Sequence, residues 1–216
     1  MRILVTGGAG FIGSHTCLAL KEKGYDITVI DSYINSHRKS LQRVLDILKK
    51  NNRVKNIGID IEIADIRDEN SLDKLFLRYQ DLGNPIQAVM HFAGQKSVKD
   101  SVLNPLIYWD VNVHGSINLL RVMDKYNCRT IVFSSSATIY GLSNSLPLKE
   151  NADIQPINPY GRTKVAIEQI LNDIYNSHTD KWKIANLRYF NPIGAHPSGM
   201  IGEAPMGIPT NIFPYI

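Results

Sequence analysis

The chain has 216 residues, a hydrophobic content of 44% and a formal net charge of +4. This length can bury one sizeable core, and the mixed composition is typical of a globular protein rather than a disordered or fibrous one. No apolar run reaches the length of a membrane span, and the small excess of positive charge does not by itself indicate a nucleic-acid partner.

The cysteines and histidines form no disulfide or metal-ligand pattern. Cys17 and Cys128 lie in or beside predicted helices, and the histidines at positions 15, 37, 91, 114, 178 and 196 are scattered. We expect reduced, buried thiols, structural or surface histidines and no metal. Because the first strand begins by residue 3 and leaves no room for a signal peptide, we expect a cytoplasmic protein.

The first predicted elements are a buried strand, a glycine turn and a helix within residues 3–24. Gly8, Gly10 and Gly13 match G-x-G-x-x-G, and Gly7, Gly10 and Gly13 match a wider spacing. Glycine allows a sharp turn and a close approach of a pyrophosphate to the backbone, and the helix directs free N–H groups at that anion. The pattern predicts a dinucleotide site, with an incidental glycine turn as the alternative.

A second strand, Ile27–Ile30, places Asp31 at its carboxyl end. A carboxylate about 20 residues beyond the glycines is where such sites bind the adenosine ribose hydroxyls. The alternative is that Asp31 is a helix cap or turn former. Because Asp31 would repel the extra phosphate of NADP, the sequence favours NAD.

The densest basic cluster of the chain comes next. Leu41, Val44, Leu45 and Leu48 recur within it at helical spacing. We therefore predict an amphipathic helix with a solvated basic face rather than a nucleic-acid site. The cations of this cluster are Arg38, Lys39, Arg43, Lys49, Lys50, Arg53 and Lys55.

Two further strands and two helices are predicted in the middle of the chain. Residues 57–66 alternate apolar and polar side chains, which is typical of a strand near the sheet edge that ends at Asp65. A fourth strand, Ala88–Phe92, precedes Ala93 and Gly94, whose small size permits either a flat cofactor or only a tight turn. The helix between these strands has Leu72, Leu75, Phe76 and Tyr79 on one face, and a long helix covers 105–127.

The remaining elements complete an alternating pattern. A fifth strand from Thr130 runs into Ser134–Thr138, a helix covers Tyr160–Tyr175, and a sixth strand covers Ile184–Phe190. Six strands alternating with helices predict an α/β fold with a doubly wound parallel sheet of the Rossmann type.

Tyr160 and Lys164 are spaced to share one face of the helix after the fifth strand. An ammonium group and an oxidised nicotinamide would lower the pKa of the phenol, and Ser136 could bind the same substrate hydroxyl. Such a pair is also common on ordinary helix surfaces. The glycine turn and the strand-end serine favour the catalytic interpretation, because ligands bind at the carboxyl ends of strands in open α/β sheets.

The chain resembles the extended short-chain dehydrogenase/reductase family and, within it, the UDP-glucose 4-epimerases. The matching stretches are residues 5–15, His91–Gly94, Ser134–Thr138, Pro159–Lys164 and Leu187–Pro192. Related dehydratases carry an acidic pair after the threonine of the fifth strand, where this chain has Ile139 and Tyr140.

The resemblance implies inversion at C4 of a UDP-hexose, UDP-glucose to UDP-galactose, with NAD bound throughout. Tyr160 would remove the O4 proton, assisted by Lys164 and Ser136, and a 4-keto sugar would rotate before hydride returns. The implied cofactor contacts are Gly7, Gly10, Phe11, Ile12, Gly13, Asp31, Ser32, Asn35, Ser36, Asp65, Ile66, Phe92, Ala93, Gly94, Lys96, Asn112, Ser136, Tyr160, Lys164 and Phe190. The implied substrate contacts are Lys96, Ser136, Tyr160, Asn191 and Asn211.

Family members are longer than this chain. We expect an NAD-binding domain over 1–190, with 191–216 as the start of a substrate-binding region that is mostly missing. The alternative functions are epimerisation of another nucleotide sugar and NAD binding by a catalytically inactive product. The resemblance also implies a dimer formed through the helices at 105–127 and 159–175. The first of these helices has apolar residues on more than one side, for example Leu119 and Leu120, which agrees equally with dimer contact and with core packing.

Overall fold

The computed structural model describes residues 1–51, 57–142, 146–177 and 181–207. These residues form one parallel sheet with helices on both faces. The strands are β1 (Arg2–Thr6), β2 (Asp26–Ile30), β3 (Asp60–Glu62), β4 (Ile86–His91), β5 (Thr130–Ser136) and β6 (Lys183–Tyr189). The α-helices are α1 (Phe11–Glu22), α2 (Arg38–Lys50), α3 (Glu69–Asp81), α4 (Val98–Leu103), α5 (Pro105–Tyr108), α6 (Gly115–Lys125) and α7 (Pro159–Ser177).

The sheet order is β3-β2-β1-β4-β5-β6, and every pairing is parallel. This order confirms the doubly wound fold. From β1 the strands β2 and β3 are added toward one edge of the sheet, and β4, β5 and β6 are added toward the other. A crevice therefore opens between the carboxyl ends of β1 and β4.

A separate apolar cluster covers each face of the sheet. One cluster holds the predicted face of α3, since Leu72, Leu75, Phe76 and Tyr79 are all buried. The other packs α1 and α2 against β1 and β2, and it includes Leu41, Val44 and Leu48. The amphipathic helix of the basic segment is therefore confirmed, while Arg53 and Lys55 lie outside the described residues.

β3 is much shorter than the predicted strand over 57–66. Only Asp60–Glu62 pair with β2, at the sheet edge, and Ile61 and Ile63 are exposed. The chain leaves the sheet after Glu62, so the alternation that marks a pleated strand ends there although the apolar residues continue.

The predicted helix over 105–127 is interrupted. Pro105 occupies the first helical turn as predicted, but residues Trp109–His114 adopt a π-helix before α6 begins. The π-helix presents Asn112 to the loop after β4, as described below. α4, which precedes this segment, was not predicted.

The segment after β6 is mostly irregular, as predicted, but it returns across the sheet. Ala195 and Gly202 form an antiparallel bridge, and Ile201 is buried in the cluster of α1 and α2. Asn211 and the apolar stretch 212–216 lie outside the described residues. None of the helices in the described part of the chain is long and apolar enough to cross a membrane.

Candidate active site at the carboxyl edge of the sheet

The glycine turn after β1 is shaped by close backbone contacts. Gly7 has a φ of +67°, and a Cβ atom there would lie 2.7 Å from the backbone nitrogen of Ala93. A Cβ atom on Gly13 would lie 2.3 Å from the carbonyl oxygen of Gly7. Gly8 instead packs against Val29, where a Cβ atom would be 2.7 Å from the side chain. Gly7, Gly8 and Gly13 are therefore each required by close contacts of the turn.

The N-terminus of α1 fits an anionic ligand. Its N-cap residue is Gly10, no side chain caps the first turn, and no acidic residue lies there. The backbone N–H groups at the start of a helix need an external acceptor, and the helix dipole favours a negative one. Phe11 and Ile12 occupy this first turn, which suits the pyrophosphate of a dinucleotide.

Asp31 is buried at the carboxyl end of β2 and links this strand to the glycine turn. Its Oδ2 atom accepts a hydrogen bond from the backbone N–H of Ala9 at 2.9 Å. Its Oδ1 atom accepts from the hydroxyl of Ser36 at 2.8 Å and from the N–H of Tyr33. A carboxylate offers about four acceptor positions, and three are used here, so about one is left for a ribose hydroxyl. Ser32 and Asn35 of the same loop are exposed.

The loop after β4 packs against the glycine turn and the π-helix. The N–H of Ala93 donates to the hydroxyl of Thr6, while Phe92 packs on the cluster of α1 and α2. A Cβ atom on Gly94 would lie 2.9 Å from Asn112 Oδ1. Packing against Asn112 therefore requires a glycine at position 94 even without a ligand. This agrees with the tight-turn interpretation and is compatible with a cofactor nearby.

Asn112 is committed to protein partners in this structure. Its Oδ1 atom accepts from the N–H of Gln95, and its amide nitrogen donates to the Gln95 carbonyl and to the Thr163 hydroxyl. Both amide N–H groups are therefore used. The residue holds the loop after β4 in place.

Asp65 is held by an ion pair that the sequence did not reveal. Arg67 donates to both carboxylate oxygens of Asp65 and, through Nη1, to Asp110 at 2.6 Å. The hydrogen bonds from Arg67 hold the pKa of Asp65 below its usual range. The neighbouring Ile66 is buried whereas Asp65 is half-buried, so these two adjacent side chains lie in different environments.

Ser136 and Tyr160 meet at the carboxyl end of β5. The Ser136 oxygen accepts hydrogen bonds from the N–H of Thr138 at 3.2 Å and from its hydroxyl at 3.0 Å. These bonds leave the Ser136 hydroxyl proton free to be donated to Tyr160. Burial raises the pKa of Tyr160, and the hydrogen bond with Ser136 opposes that rise.

Lys164 lies behind Tyr160 in a nearly dry environment. Its ammonium group donates to the carbonyl of Ser134 at 2.8 Å and lies 4.8 Å from the ring centre of Phe133 and 5.6 Å from that of Tyr160. Burial lowers the pKa of Lys164 to about 8, while Glu168 acts in the opposite direction. Burial thus dominates the pKa of Tyr160 among the protein groups, and the lowering expected from Lys164 together with an oxidised nicotinamide stays a prediction.

Several predicted site residues lie on the segment after β6 or on exposed loops. Lys96 is exposed and forms an ion pair with Glu203 at 3.7 Å. Phe190 and Asn191 are exposed directly after β6. Asn211, the remaining predicted substrate contact, is outside the described residues.

His91 is the centre of a buried hydrogen-bond chain behind the site. Its ring contacts the Thr6 hydroxyl at 2.7 Å and the Ser116 hydroxyl at 2.9 Å, and Ser116 donates onward to the Asn112 carbonyl. Because Ser116 uses its proton there, His91 donates to Ser116 through Nε2 and accepts from Thr6 through Nδ1. The ring is neutral, since burial lowers its pKa to about 3, with Lys164 adding to the effect.

This buried histidine predicts acid sensitivity. The folded pKa of about 3 lies below the ordinary histidine pKa of 6.5, so the unfolded chain binds the extra proton first as the pH falls. We expect His91 to account for a loss of about 2 kcal/mol in the free energy of unfolding between pH 7 and pH 5. Urea unfolding of His91→Gln should lack this part of the slope, and His37→Gln, at an exposed position, should retain it. Equal slopes for His91→Gln and the unmodified chain would contradict the assignment.

Three residues near the reacting groups were not predicted. Thr138 orients Ser136, Tyr108 is buried near Tyr160, and Glu168 lies one helical turn beyond Lys164. The i, i+4, i+8 spacing of Tyr160, Lys164 and Glu168 was the available signal for Glu168.

The comparisons with known proteins converge on one family. The NAD dependent epimerase/dehydratase family matches residues 3–214. UDP-glucose 4-epimerase 2 of Arabidopsis thaliana is 49% identical over 214 residues, which cover 99% of this chain and 58% of that protein. The UDP-glucose 4-epimerase of Bacillus subtilis is 47% identical, with 100% of this chain and 60% of that protein covered.

A solved structure gives the same match in three dimensions. The UDP-glucose 4-epimerase of Bifidobacterium longum, in complex with NAD+ and UDP, superposes with a TM-score of 0.90 at 44% identity. The match covers 100% of this chain and 61% of that chain. This chain thus spans about three fifths of the length of such relatives.

Proposed function

Because the chain belongs to the NAD dependent epimerase/dehydratase family, we propose that it acts in the NAD-dependent inversion of C4 of a UDP-hexose. The reaction would interconvert UDP-glucose and UDP-galactose through a transient 4-keto sugar. The single observation that carries this proposal is the meeting of Ser136 and Tyr160 at the carboxyl end of β5, with Lys164 directly behind them. The similarity to UDP-glucose 4-epimerases over nearly the whole chain supports it.

The dinucleotide would lie across the crevice between β1 and β4. The free N–H groups of α1 fit its pyrophosphate, and the Asp31 carboxylate fits its adenosine ribose. Asp31 also disfavours the extra phosphate of NADP by charge repulsion. NAD held there would supply the hydride acceptance and return that inversion at C4 requires.

The residues of this chain would manage the proton on O4. Tyr160 accepts the O4 proton as hydride leaves C4 and returns it when hydride comes back. Ser136 donates a hydrogen bond that stabilises the phenolate or the sugar oxygen, and Thr138 holds Ser136 in the orientation that allows this. The ammonium group of Lys164 stabilises the negative charge that develops on Tyr160.

The other predicted contacts belong to the same proposal. Phe92, Ala93, Gly94 and Asp65 border the dinucleotide in it, and Lys96 and Asn191 border the sugar nucleotide. We further propose that 1–190 is the cofactor domain and 191–216 the beginning of the substrate region. Cytoplasmic location remains a prediction.

Relatives with other substrates keep a second substrate class open. A relative from Pisum sativum is a bifunctional UDP-glucose 4-epimerase and UDP-xylose 4-epimerase that is 46% identical. A structural neighbour from Campylobacter jejuni is a UDP-Glc/GlcNAc 4-epimerase that is 30% identical. The other alternative is that this chain binds NAD without turnover.

One experiment separates these functions. The purified chain is first denatured, and the released nucleotide is identified as NAD, NADP or neither. UDP-galactose is then supplied together with UDP-glucose dehydrogenase, so that each epimerisation produces NADH. NAD in the released nucleotide together with an NADH signal is the expected result. Bound NAD without an NADH signal, and without epimer formed from N-acetylated and pentose substrates as followed by chromatography, would favour the non-catalytic alternative. A chain without NAD would contradict the cofactor proposal.

We also propose a homodimer through the helices at 105–127 and 159–175. The exposed apolar side chains of the first segment lie at its start, where Leu106 is 82%, Ile107 45% and Trp109 39% exposed. α6, in contrast, uses Leu119 and Met123 for the core. Exposed apolar patches of this kind are typical of protein contacts. The mass of the chain in solution, measured by analytical ultracentrifugation, tests this proposal.

A further inference from the structure

A buried carboxylate lies one helical turn beyond Lys164 and takes no part in the chemistry described so far. Glu168 is almost fully buried on the face of α7 that packs against the sheet. A buried carboxylate is costly unless other groups compensate its charge. Its partners therefore indicate its role.

Two neighbouring strands hold Glu168 from below. The hydroxyl of Ser135 on β5 donates to Oε1. Arg188 on β6 donates from Nε to Oε1 at 3.1 Å and from Nη2 to Oε2 at 2.7 Å. Ser135 and Arg188 are direct partners in the register of the two strands, so the sheet itself sets the position of the carboxylate.

The same stretch of β5 arranges the reacting groups. Phe133 lies under the Lys164 ammonium group, and the Ser134 carbonyl accepts its hydrogen bond. Ser135 binds Glu168, and Ser136 contacts Tyr160. Consecutive residues of one strand thus align Tyr160, Lys164 and Glu168 along the helix.

We propose that Glu168 is a positioning residue of the active site, whose carboxylate, anchored by Ser135 and Arg188, keeps Lys164 in its charged form beneath Tyr160. The consequence for catalysis rests on the proposed function. The electrostatic relation between Glu168 and Lys164 does not, because it concerns only groups of this chain.

The charges around Lys164 support this role. Burial lowers the pKa of Lys164, and Glu168 is the one group among the described residues whose charge acts to raise it. The facing groups on other elements are the neutral His91 of β4 and, behind Glu168, the guanidinium of Arg188. Tyr160, on the same helix, carries no charge while its phenol keeps its proton. Without the carboxylate, burial and the positive charge of Arg188 would both favour the uncharged form of Lys164.

A purely structural role of the Glu168–Arg188 ion pair makes a different prediction. Such a pair would tie α7 to β6, and Arg188 also donates to the Tyr140 hydroxyl at 2.8 Å and to the Glu150 carbonyl at 2.7 Å. Substitution would then lower the free energy of unfolding without a specific change at Lys164. Titration of Lys164 itself distinguishes the two roles.

The test uses the full chain labelled with [6-13C]lysine, in which NMR follows the protonation of each lysine. The Lys164 resonance is assigned by its loss in Lys164→Arg. We expect Glu168→Gln to lower the titration midpoint of Lys164 by about one pH unit or more, because it removes the charge that opposes the effect of burial on Lys164. Ser135→Ala and Arg188→Lys, which keep both charges, should leave the midpoint close to that of the unmodified chain.

A second variant covers the possibility that Glu168→Gln does not fold. Arg188→Met removes the cation that partly neutralises Glu168, so the Lys164 midpoint should rise rather than fall. An unchanged midpoint in a folded Glu168→Gln, or an unchanged or lowered midpoint in Arg188→Met, would overturn the proposal. Since this readout needs no turnover, its failure is distinct from a failure of the coupled epimerase assay.

Discussion

Tyr160→Phe is expected to reduce epimerase turnover by about 10²- to 10⁴-fold, which is the usual contribution of a positioned acid or base. The substitution removes the only group proposed to accept the O4 proton. The ring remains and continues to fill its place between Ser136 and Lys164. The coupled assay with UDP-glucose dehydrogenase measures the loss.

Tyr175→Phe is the matched control, because Tyr175 is on the same helix, is 44% exposed and has no proposed role. It should keep full turnover. The amount of bound NAD should be similar in both variants, which would show that the loss is chemical. Turnover within a factor of a few of the unmodified chain in Tyr160→Phe would rule out the phenol as the essential base.

Gly7→Ala should cost about 3 kcal/mol or more in the free energy of unfolding. A left-handed backbone costs an alanine about 1–2 kcal/mol, and overpacking a close contact adds about 1–3 kcal/mol. Gly7 carries both penalties, because its φ is +67° and its Cβ atom would lie 2.7 Å from the Ala93 nitrogen. Urea unfolding followed by circular dichroism gives the difference.

Gly83→Ala isolates the backbone penalty. Gly83 has the same φ of +67°, but no atom lies within 4 Å of a Cβ placed there. Its cost should therefore stay at about 1–2 kcal/mol. If the two substitutions destabilise the chain equally, the close contact between the glycine turn and the loop after β4 does not constrain Gly7. NAD binding should also weaken in Gly7→Ala alone, since this turn borders the proposed pyrophosphate site.

Much of the fold could be predicted because the signals are local. The period of apolar residues identified the buried face of α3, and the glycines located the turn between β1 and α1. The boundaries were less certain. α1 begins at Phe11, inside the glycine pattern rather than after it, because its first turn follows the uncapped Gly10. β3 is shorter than its apolar pattern, since that pattern continues after the chain has left the sheet.

The candidate site was predicted in its components but not in its electrostatics. The convergence of Ser136 and Tyr160 followed from the rule that ligands bind at the carboxyl ends of parallel strands. The pKa of Tyr160 did not follow, because the burial of a phenol depends on every element around it. The sequence likewise did not predict the ion pair of Asp65 with Arg67 or the hydrogen bond of Asn112 with Gln95.

The amino-acid sequence by itself determined the strand and helix pattern, the glycine turn and the spacing of Tyr160 and Lys164, because steric preference and helical period act between near neighbours. Only the tertiary structure decided that His91 would be neutral and that Glu168 would meet Ser135 and Arg188. Those partners are brought together by strand order and register, and their protonation depends on how completely the assembled elements exclude water.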